Sequence, residues 1–261
     1  MIDLFSIFTN PNTFSIAFSI VVAVAPAVFW LVYIYKKDGH EKEPILLLLL
    51  LIFGGILATI TSFILETISS YGEAFLQVTF PRALVILTFL SAMMVGIIEE
   101  GSKYFFLKLF SWKNKNFDYT FDGIVYAVYV SLGFALAENI LYVFSYGLSV
   151  VIPRALLTIP AHMSFGVYMG AYYGVSKVYD AMGDIDNSKR YAKLGLIIAM
   201  VLHGLYDAFV MLSDIQLFAT AFYAFVIILD ILVYMTIKQR VVDDRRIQDI
   251  IYERYSYRDT V

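Results

Sequence analysis

The sequence predicts an all-α protein, a polytopic bundle of about seven transmembrane helices, on three observations. Of the 261 residues, 60% are hydrophobic and only 16% are charged, whereas a soluble domain is about half apolar and a quarter charged. The mean hydropathy of the chain is +0.75. The apolar residues are also grouped into long runs, each of roughly 20 residues or more, which is enough to cross a ~30 Å hydrocarbon core as a helix.

The runs follow one another along the whole chain, separated by short polar connections. They are Phe14–Tyr35, Pro44–Leu65, Arg82–Phe106, Phe121–Tyr146, Ile152–Val178, Tyr191–Leu212 and Ile215–Ile237. The flank before the first run has no Lys or Arg, and the run exceeds the apolar core of a signal peptide, so we interpret it as a retained span. Residues 1–237 are therefore expected to form one intramembrane domain, and residues 238–261 a charged cytoplasmic tail.

Basic residues indicate which side of the membrane each connection occupies. Of the 19 Lys and Arg residues, all but Arg82 and Arg154 lie at or after the ends of the first, third and fifth runs or in the tail. Because cytoplasmic loops carry the excess of basic residues, the N-terminus is predicted outside and the C-terminus in the cytoplasm. The chain has no cysteine, which excludes disulfides and thiolate chemistry.

The tail combines charge with helical periodicity. Ile247, Ile250, Ile251 and Tyr255 recur at helical spacing among charged residues. This pattern favours an amphipathic helix that is solvated or lies on the anionic inner leaflet. A docking site for a cytoplasmic partner is the alternative.

Ionisable residues inside the runs are candidates for a functional site, because they are costly at membrane depth. Lys103 follows Glu99 by four residues and Glu100 by three, so one lysine can contact either carboxylate. Two adjacent carboxylates do not both ionise cheaply at low dielectric unless a cation or a metal offsets them. Asp207 follows His203 by four residues and can hold one imidazole nitrogen. Other polar residues inside the runs are Glu138, Asn139, His162 and Asp230.

Small residues share helix faces with both histidines, which predicts close helix packing around an enclosed polar cavity. Pro160 is expected to kink the fifth run and to free backbone carbonyls beside His162. If the runs are helices, the two histidines and the glutamates meet near the midplane. The small residues concerned are Gly166, Gly170 and Gly174 on the face of His162, and Gly195 and Ala199 on that of His203.

Each group also has a purely structural interpretation. The carboxylates with Lys103 can be a buried ion-pair lock, and His203 with Asp207 a structural bridge. His162 can be a packing histidine bonded to a carbonyl, and Glu138 with Asn139 can join two helices. Asp230 has no partner within its own run, which favours a structural or unknown role, and His40 is expected to be an ordinary loop residue.

The motifs of several intramembrane chemistries are missing from the sequence. None of the three histidines fits His-Glu-x-x-His, rhomboid-type Gly-x-Ser-Gly is absent, and Tyr206–Asp207 has no second aspartate motif to face it. Hydrolysis by a carboxylate-activated water with histidine support remains open. A proton-coupled carrier that uses the same Glu/His relay and a scaffold without turnover are the alternatives. The hydropathy shows no inverted repeat, which argues weakly against a carrier.

Ordered segments of the chain resemble the PrsW family of intramembrane proteases, which is related to the CAAX prenyl endopeptidases and the bacteriocin-processing proteases. The resemblance rests on "KKDGHEKEP" after the first run, "EEGSK" at Glu99–Lys103 and "LHGLYD" at Leu202–Asp207. Two longer segments complete it, "DGIVYAVYVSLGFALAENILY" from Asp122 and "RALLTIPAHMSFGVYMG" from Arg154. The resemblance extends from about residue 20 to 240 and omits about the last 20 residues.

The resemblance implies a multi-pass endopeptidase of the prokaryotic plasma membrane. It would cut a single-pass anti-sigma factor near its extracytoplasmic end, as the first cut of a stress response, with the bilayer as its setting and without nucleic acid. By position, Glu99 and Glu100 match the essential pair and His203 the essential histidine. His162 and Asp207 match accessory positions, and Lys103, Glu138 and Asn139 are expected to support them.

One motif departs from the wider superfamily, and the cofactor is left open. Where the superfamily has Phe-x-x-x-His, this chain has Phe134 and Glu138, so His162 is the candidate to replace the missing histidine. Two mechanisms fit the residues. One needs no cofactor and uses a glutamate base with histidines that stabilise the oxyanion, and we favour it. The other places a zinc ion on Glu99, Glu100, His162 and His203.

Overall fold

The computed structural model describes residues 11–258 and confirms the all-helical fold class. Its main helices are α1 (Pro11–Lys37), α2 (Ile45–Thr79), α3 (Leu84–Ser111), α4 (Asp122–Tyr146), α5 (Ile159–Ala181), α6 (Ile185–Met211), α7 (Gln216–Val242) and α8 (Ile247–Arg258). A 3-10 turn at Pro81–Ala83 leads into α3. A 3-10 turn (Leu148–Val150), one α-helical turn (Val151–Pro153) and a π-helical turn (Arg154–Thr158) lead into α5.

Seven of the helical segments within the described residues are long and apolar enough to span a membrane, as predicted. Several are longer than the hydropathy indicates. The second continues past the predicted end at Leu65 to Thr79, and the seventh continues past Ile237 to Val242. A helix does not end where its apolar residues end, because its backbone hydrogen bonds continue through polar turns. The predicted domain boundary at residue 237 falls inside α7.

Helices α4 and α5 form the centre of the bundle. Helix α4 packs against α2, α5 and α1, and α5 packs against α4, α6 and α7. Helix α3 lies against α6 and α2. Large apolar side chains on the outside remain exposed, Leu46, Phe63 and Leu217 among them, as expected for a surface that faces lipid.

The glycine face of α5 packs closely against its neighbour, as predicted, and a second glycine contact was not predicted. A Cβ on Gly170 would lie 2.4 Å from the Gly123 carbonyl oxygen, so α5 touches the backbone of α4. A Cβ on Gly96 would lie 2.7 Å from the Gly204 nitrogen, so α3 and α6 also meet at backbone contact. Gly96 is one turn before Glu100, and Gly204 follows His203. The second contact therefore places a predicted catalytic residue of each helix side by side.

The tail is helical, as predicted, and it attaches to the loop between α3 and α4. The Ile247 N–H donates to the Asp118 carbonyl at 2.7 Å, and the Thr120 N–H donates to the Arg245 carbonyl at 3.1 Å. Ile247 is buried. Residues 1–10 and 259–261 and the side chain of Tyr255, which belongs to the predicted tail pattern, lie outside the described part. We call the end of the bundle with the α1–α2, α3–α4 and α5–α6 loops and the tail the basic end.

Candidate active site

Helix α3 supplies two carboxylates and an ammonium group to the interior of the bundle. The Lys103 Nζ lies 2.7 Å from Glu100 Oε1 and 3.1 Å from Glu99 Oε2. It also lies 3.9 Å from the centre of the Phe134 ring. Glu100 and Lys103 are fully buried, and Glu99 is 5% exposed. The sequence spacing predicted that one lysine can contact either carboxylate, and the structure shows that it contacts both.

Helix α6 brings His203 against the same carboxylates. Its Nδ1 lies 2.9 Å from Glu100 Oε1. Its Nε2 lies 3.4 Å from Asp207 Oδ2 and 3.7 Å from Glu99 Oε2. The ring stacks on Phe165 with 4.8 Å between the ring centres. The contact with Glu100 is shorter than that with Asp207, and the two carboxylates approach different nitrogens of this imidazole.

His162 joins the cluster from α5, and its neighbours define its tautomer. The Nδ1 lies 3.1 Å from Lys103 Nζ, and an ammonium only donates hydrogen bonds. Nδ1 therefore accepts, and the Nε2–H donates to Glu138 Oε2 at 3.1 Å. The ring also packs on Phe134, 5.5 Å between centres. The side chain from α5 thus fills the space next to Phe134 and Glu138, the two residues of the altered motif.

Glu138 and Asn139 are held by Arg154, a residue whose role the sequence did not indicate. Arg154 Nη2 donates to Glu138 Oε2 at 2.7 Å, and its Nε donates to Asn139 Oδ1 at 2.8 Å. The Asn139 amide in turn donates to the Ala23 carbonyl of α1 at 2.6 Å. Arg154 is 7% exposed and begins the π-helical turn before α5. Such a turn re-aims side chains relative to a regular helix, and it precedes Pro160, where a kink was predicted.

Four of the predicted site residues offer atoms for a metal ion. One ligand atom from each of Glu99, Glu100, His162 and His203 lies within 4.8 Å of the others. Glu100 Oε2 is buried without a hydrogen-bond partner. Two carboxylates and two imidazoles are donors that zinc accepts, so the residues fit such an ion. Lys103 already places a positive charge among three of the four.

Glu66 is a second residue that the sequence analysis missed. It lies on α2, one residue beyond the predicted end of the second span, in a helix that continues to Thr79. Its Oε1 is buried without a partner, and its carboxyl interacts electrostatically with Glu138, His203, Lys103 and Asp207. The acidic residue in a long apolar helix was the signal that would have identified it.

Two other polar residues lie away from the cluster. Asp230 is exposed on α7, beside a groove of about 590 Å³ between α1, α5 and α7. The described residues give it no hydrogen bond. His40 stacks on Tyr119 at the basic end, 5.3 Å between ring centres, and its Nε2 lies 4.0 Å from Asp244 Oδ2. Neither residue belongs to the site.

Comparisons with known proteins find relatives along most of the chain. The model of the PrsW family of intramembrane metalloproteases matches residues 42–235. Protease PrsW of Geobacillus kaustophilus is 38% identical over 192 residues, which are 73% of this chain and 79% of the relative. Protease PrsW of Shouchella clausii is 32% identical over 220 residues, 84% and 95% of the two chains. That of Bacillus subtilis is 33% identical over 196 residues, 73% and 82%. No solved structure matches this chain.

Proposed function

Because the chain belongs to the PrsW family of intramembrane proteases, a peptide hydrolase of the cell membrane, we propose that it cleaves a single-pass membrane protein. An anti-sigma factor is the proposed substrate class, cut near its extracytoplasmic end. The observation that carries the proposal is the meeting of Glu99 and Glu100 of α3 with His203 of α6 inside the bundle. A base, an acid and a buried cation in one cluster of side chains are the groups that hydrolysis by an activated water requires.

The two glutamates are proposed to have different roles. Glu100 Oε1 already accepts from both Lys103 and His203, and its side chain is fully buried. Glu99 contacts Lys103 through Oε2 and retains slight exposure, 7% of its side chain. We therefore assign Glu99 as the base that takes a proton from water, while Glu100 holds the lysine and the histidine in place.

The remaining steps follow from this assignment. The hydroxide formed at Glu99 attacks the carbonyl carbon of the scissile peptide, and negative charge develops on the carbonyl oxygen. His203 is proposed to be a doubly protonated imidazolium: its Nδ1–H donates to Glu100 Oε1 at 2.9 Å, and its Nε2–H, 3.7 Å from Glu99 Oε2, stabilises that carbonyl oxygen. Glu99 then returns its proton to the leaving amine, so the peptide bond breaks with one water consumed. The Lys103 ammonium offsets the negative charge that these carboxylates place in the interior of the bundle.

Zinc is the alternative cofactor, and Glu99, Glu100, His162 and His203 would hold it. A bound zinc ion supplies Lewis acidity and lowers the pKa of a coordinated water. We propose the metal-free version, because the Lys103 ammonium already lies within hydrogen-bond distance of Glu99, Glu100 and His162. In both versions His162 presents the Nδ1 lone pair to the cluster, and Glu138 fixes that orientation from the other side of the ring.

The test is cleavage of a single-pass substrate by the purified protein in liposomes. Wild type is expected to cut an anti-sigma factor from a bacterium that encodes this chain. Glu99→Gln is expected to be inactive, and Asp214→Asn, a change of an exposed loop carboxylate, serves as the matched control. A Glu99→Gln variant with full activity would refute the assignment of the base. Cleavage of only other membrane proteins would refute the substrate class and leave the protease intact.

A further inference from the structure

The half of α2 that leads away from the basic end carries a polar face to which the proposed function assigns no role. Five polar side chains recur there at alternating intervals of three and four residues, the spacing that keeps side chains on one face of a helix. They are Thr59, Ser62, Glu66, Ser69 and Glu73, and we call them the polar face of α2. The last two are joined, since the Ser69 hydroxyl donates to Glu73 Oε1 at 3.2 Å.

The polar face turns toward the protein, and apolar side chains of the same half turn outward. Thr59 and Ser62 are buried. From residue 63 to the end of α2, the residues that are not exposed are Glu66, Ser69 and Glu73. Phe63 and Ile68, by contrast, are 68% and 64% exposed. A helix in a membrane turns its polar side chains inward where they meet other polar groups or water.

The hydroxyl of Ser62 differs from other hydroxyls of this half of α2. Thr61, Thr67 and Ser70 each donate to a carbonyl of their own helix, three or four residues earlier, as is usual for hydroxyls in a helix. Ser62 Oγ and Glu66 Oε1 are instead buried without a hydrogen-bond partner among the described residues. The two side chains are neighbours, because they are four residues apart. Buried polar atoms are bonded to protein or to ordered water, so these two oxygens indicate an external donor.

The polar face begins beside the candidate active site. The Thr59 hydroxyl donates to the Phe134 carbonyl at 3.3 Å, and the centre of the Phe134 ring lies 3.9 Å from Lys103 Nζ. Two turns further along α2, the carboxyl group of Glu66 interacts electrostatically with Lys103 and Glu138. The polar face therefore extends from the catalytic cluster toward the end of the bundle opposite the basic end.

Hydrolysis requires water at a cluster that apolar helices enclose. Glu100 and Lys103 are fully buried, and the outer surface of the bundle carries large apolar side chains such as Phe63. Water does not enter readily across such a surface, because hydrocarbon offers it no hydrogen-bond partner. A route for water to the cluster therefore needs polar groups at each turn of a helix, and the polar face of α2 has them.

We propose that the polar face of α2 is hydrated and supplies the catalytic cluster with water, and that Ser62 and Glu66 bind the last water before the cluster. A water between these two side chains donates one hydrogen bond to Ser62 Oγ and one to Glu66 Oε1, the two unpartnered oxygens. The supply of water to the reaction rests on the proposed function. The hydration of the face does not rest on it.

The test of hydration uses single cysteines, because the chain has none of its own. A charged methanethiosulfonate reagent is added to both sides of proteoliposomes that contain the full chain. It attacks the thiolate, which forms where water reaches the thiol, so Ser62→Cys, Glu66→Cys and Ser69→Cys should react about tenfold faster or more than lipid-facing controls. The controls are Phe63→Cys and Ile68→Cys, and thermal unfolding checks that each variant is folded. Reaction of Ser62→Cys or Glu66→Cys no faster than the controls would overturn the proposal.

A second measurement tests the supply of water to the reaction. Glu66→Met, which keeps the length of the side chain but cannot bind water, should lower kcat about tenfold with KM unchanged. Glu66→Gln should retain most of the activity, and Ile64→Met on the lipid-facing side should cleave as wild type does. Unchanged kcat in Glu66→Met, or a loss that appears only in KM or in the thermal midpoint, would overturn this role. If wild type cleaves no single-pass protein, the proposed function fails, and the cysteine reactivities still decide whether the face is hydrated.

Discussion

The Nδ1 of His203 lies 2.9 Å from the Oε1 of Glu100, although 103 residues separate them in the chain. The contact between Gly96 and Gly204 lets their two helices approach this closely. The same Glu100 oxygen accepts from Lys103, so this carboxylate joins the histidine to the lysine. Its neighbour Glu99 has no comparable short contact with the histidine, and the different roles proposed for the adjacent glutamates rest on this difference.

Glutamine substitutions are expected to distinguish the two carboxylates. Glu99→Gln should lower cleavage by about 10²–10⁴-fold, the typical contribution of a general base, with little change in the thermal midpoint. Glu100→Gln should lower both cleavage and the midpoint, because Lys103 and His203 lose a shared acceptor in a buried site. The measurements are liposome cleavage and thermal unfolding of the same preparations. The reverse pattern, with Glu100→Gln inactive but stable, would exchange the two roles.

Asp207 is expected to matter less than His203. His203→Ala should abolish cleavage, whereas Asp207→Asn should cost about 10–100-fold, as is typical of a partner that orients a functional group. Because groups that act as a unit are non-additive, the double variant should be little worse than His203→Ala. The measurement is cleavage of a membrane-embedded substrate by all three variants. Losses that multiply would show that the two side chains act independently and would favour His162 as the essential histidine.

Lys103→Met is expected to destabilise the protein, because it removes a buried positive charge and leaves carboxylates uncompensated, at a cost of about 3–5 kcal/mol. The active fraction should work only at higher pH than wild type, since a carboxylate without its ammonium partner holds its proton more tightly. Unfolding and the pH profile of cleavage measure the two effects. Unchanged stability would indicate that the ammonium is not the cation that offsets Glu99 and Glu100.

Metal removal is expected to leave cleavage intact. If Lys103 is the resident cation of the cluster, protein that contains far less than one zinc per chain should retain full activity after chelator treatment. Elemental analysis and cleavage of the same sample provide the measurement. Loss of activity in chelator and its recovery with added zinc would establish the zinc-dependent version.

Arg154→Gln is expected to impair cleavage through His162, although no hydrogen bond or ion pair of the described residues joins Arg154 to α3 or His203. The arginine holds Glu138, which accepts from His162 Nε2. Without the arginine, Glu138 is no longer held in place, and the imidazole of His162 loses its fixed orientation. We therefore expect the rate of cleavage to decrease by about 10–100-fold. Arg154→Lys should recover part of the activity, because it keeps the positive charge. The recovery should be incomplete, since an ammonium does not donate to Glu138 and Asn139 together as the planar guanidinium does. Equal activity of wild type and Arg154→Gln would contradict this role.

The predicted orientation can be tested with a reporter fused to the C-terminus. The distribution of basic residues predicts that this end lies in the cytoplasm, so a reporter that is active only in the cytoplasm should work, and one that requires export should fail. A C-terminal reporter that works only outside the cytoplasm would contradict the predicted orientation.

The sequence alone determined those features that depend on composition and on local helix periodicity. The number of spans follows from apolar runs long enough to cross a bilayer, and the contact of Lys103 with both glutamates follows from spacings of three and four residues. The glycine face of α5 also predicted close packing correctly. The motifs around Glu99 and His203 indicated the family, which the comparisons confirm.

Only the tertiary structure decided which distant groups meet. The sequence analysis expected Asp207 to orient His203, whereas Glu100 lies closer, because the crossing of α3 and α6 is decided by their packing and not by spacing within one helix. Arg154 faces the site where a π-helical turn precedes α5. Such contacts depend on how the helices pack against one another. Hydropathy and residue spacing describe one helix at a time and do not reveal that packing.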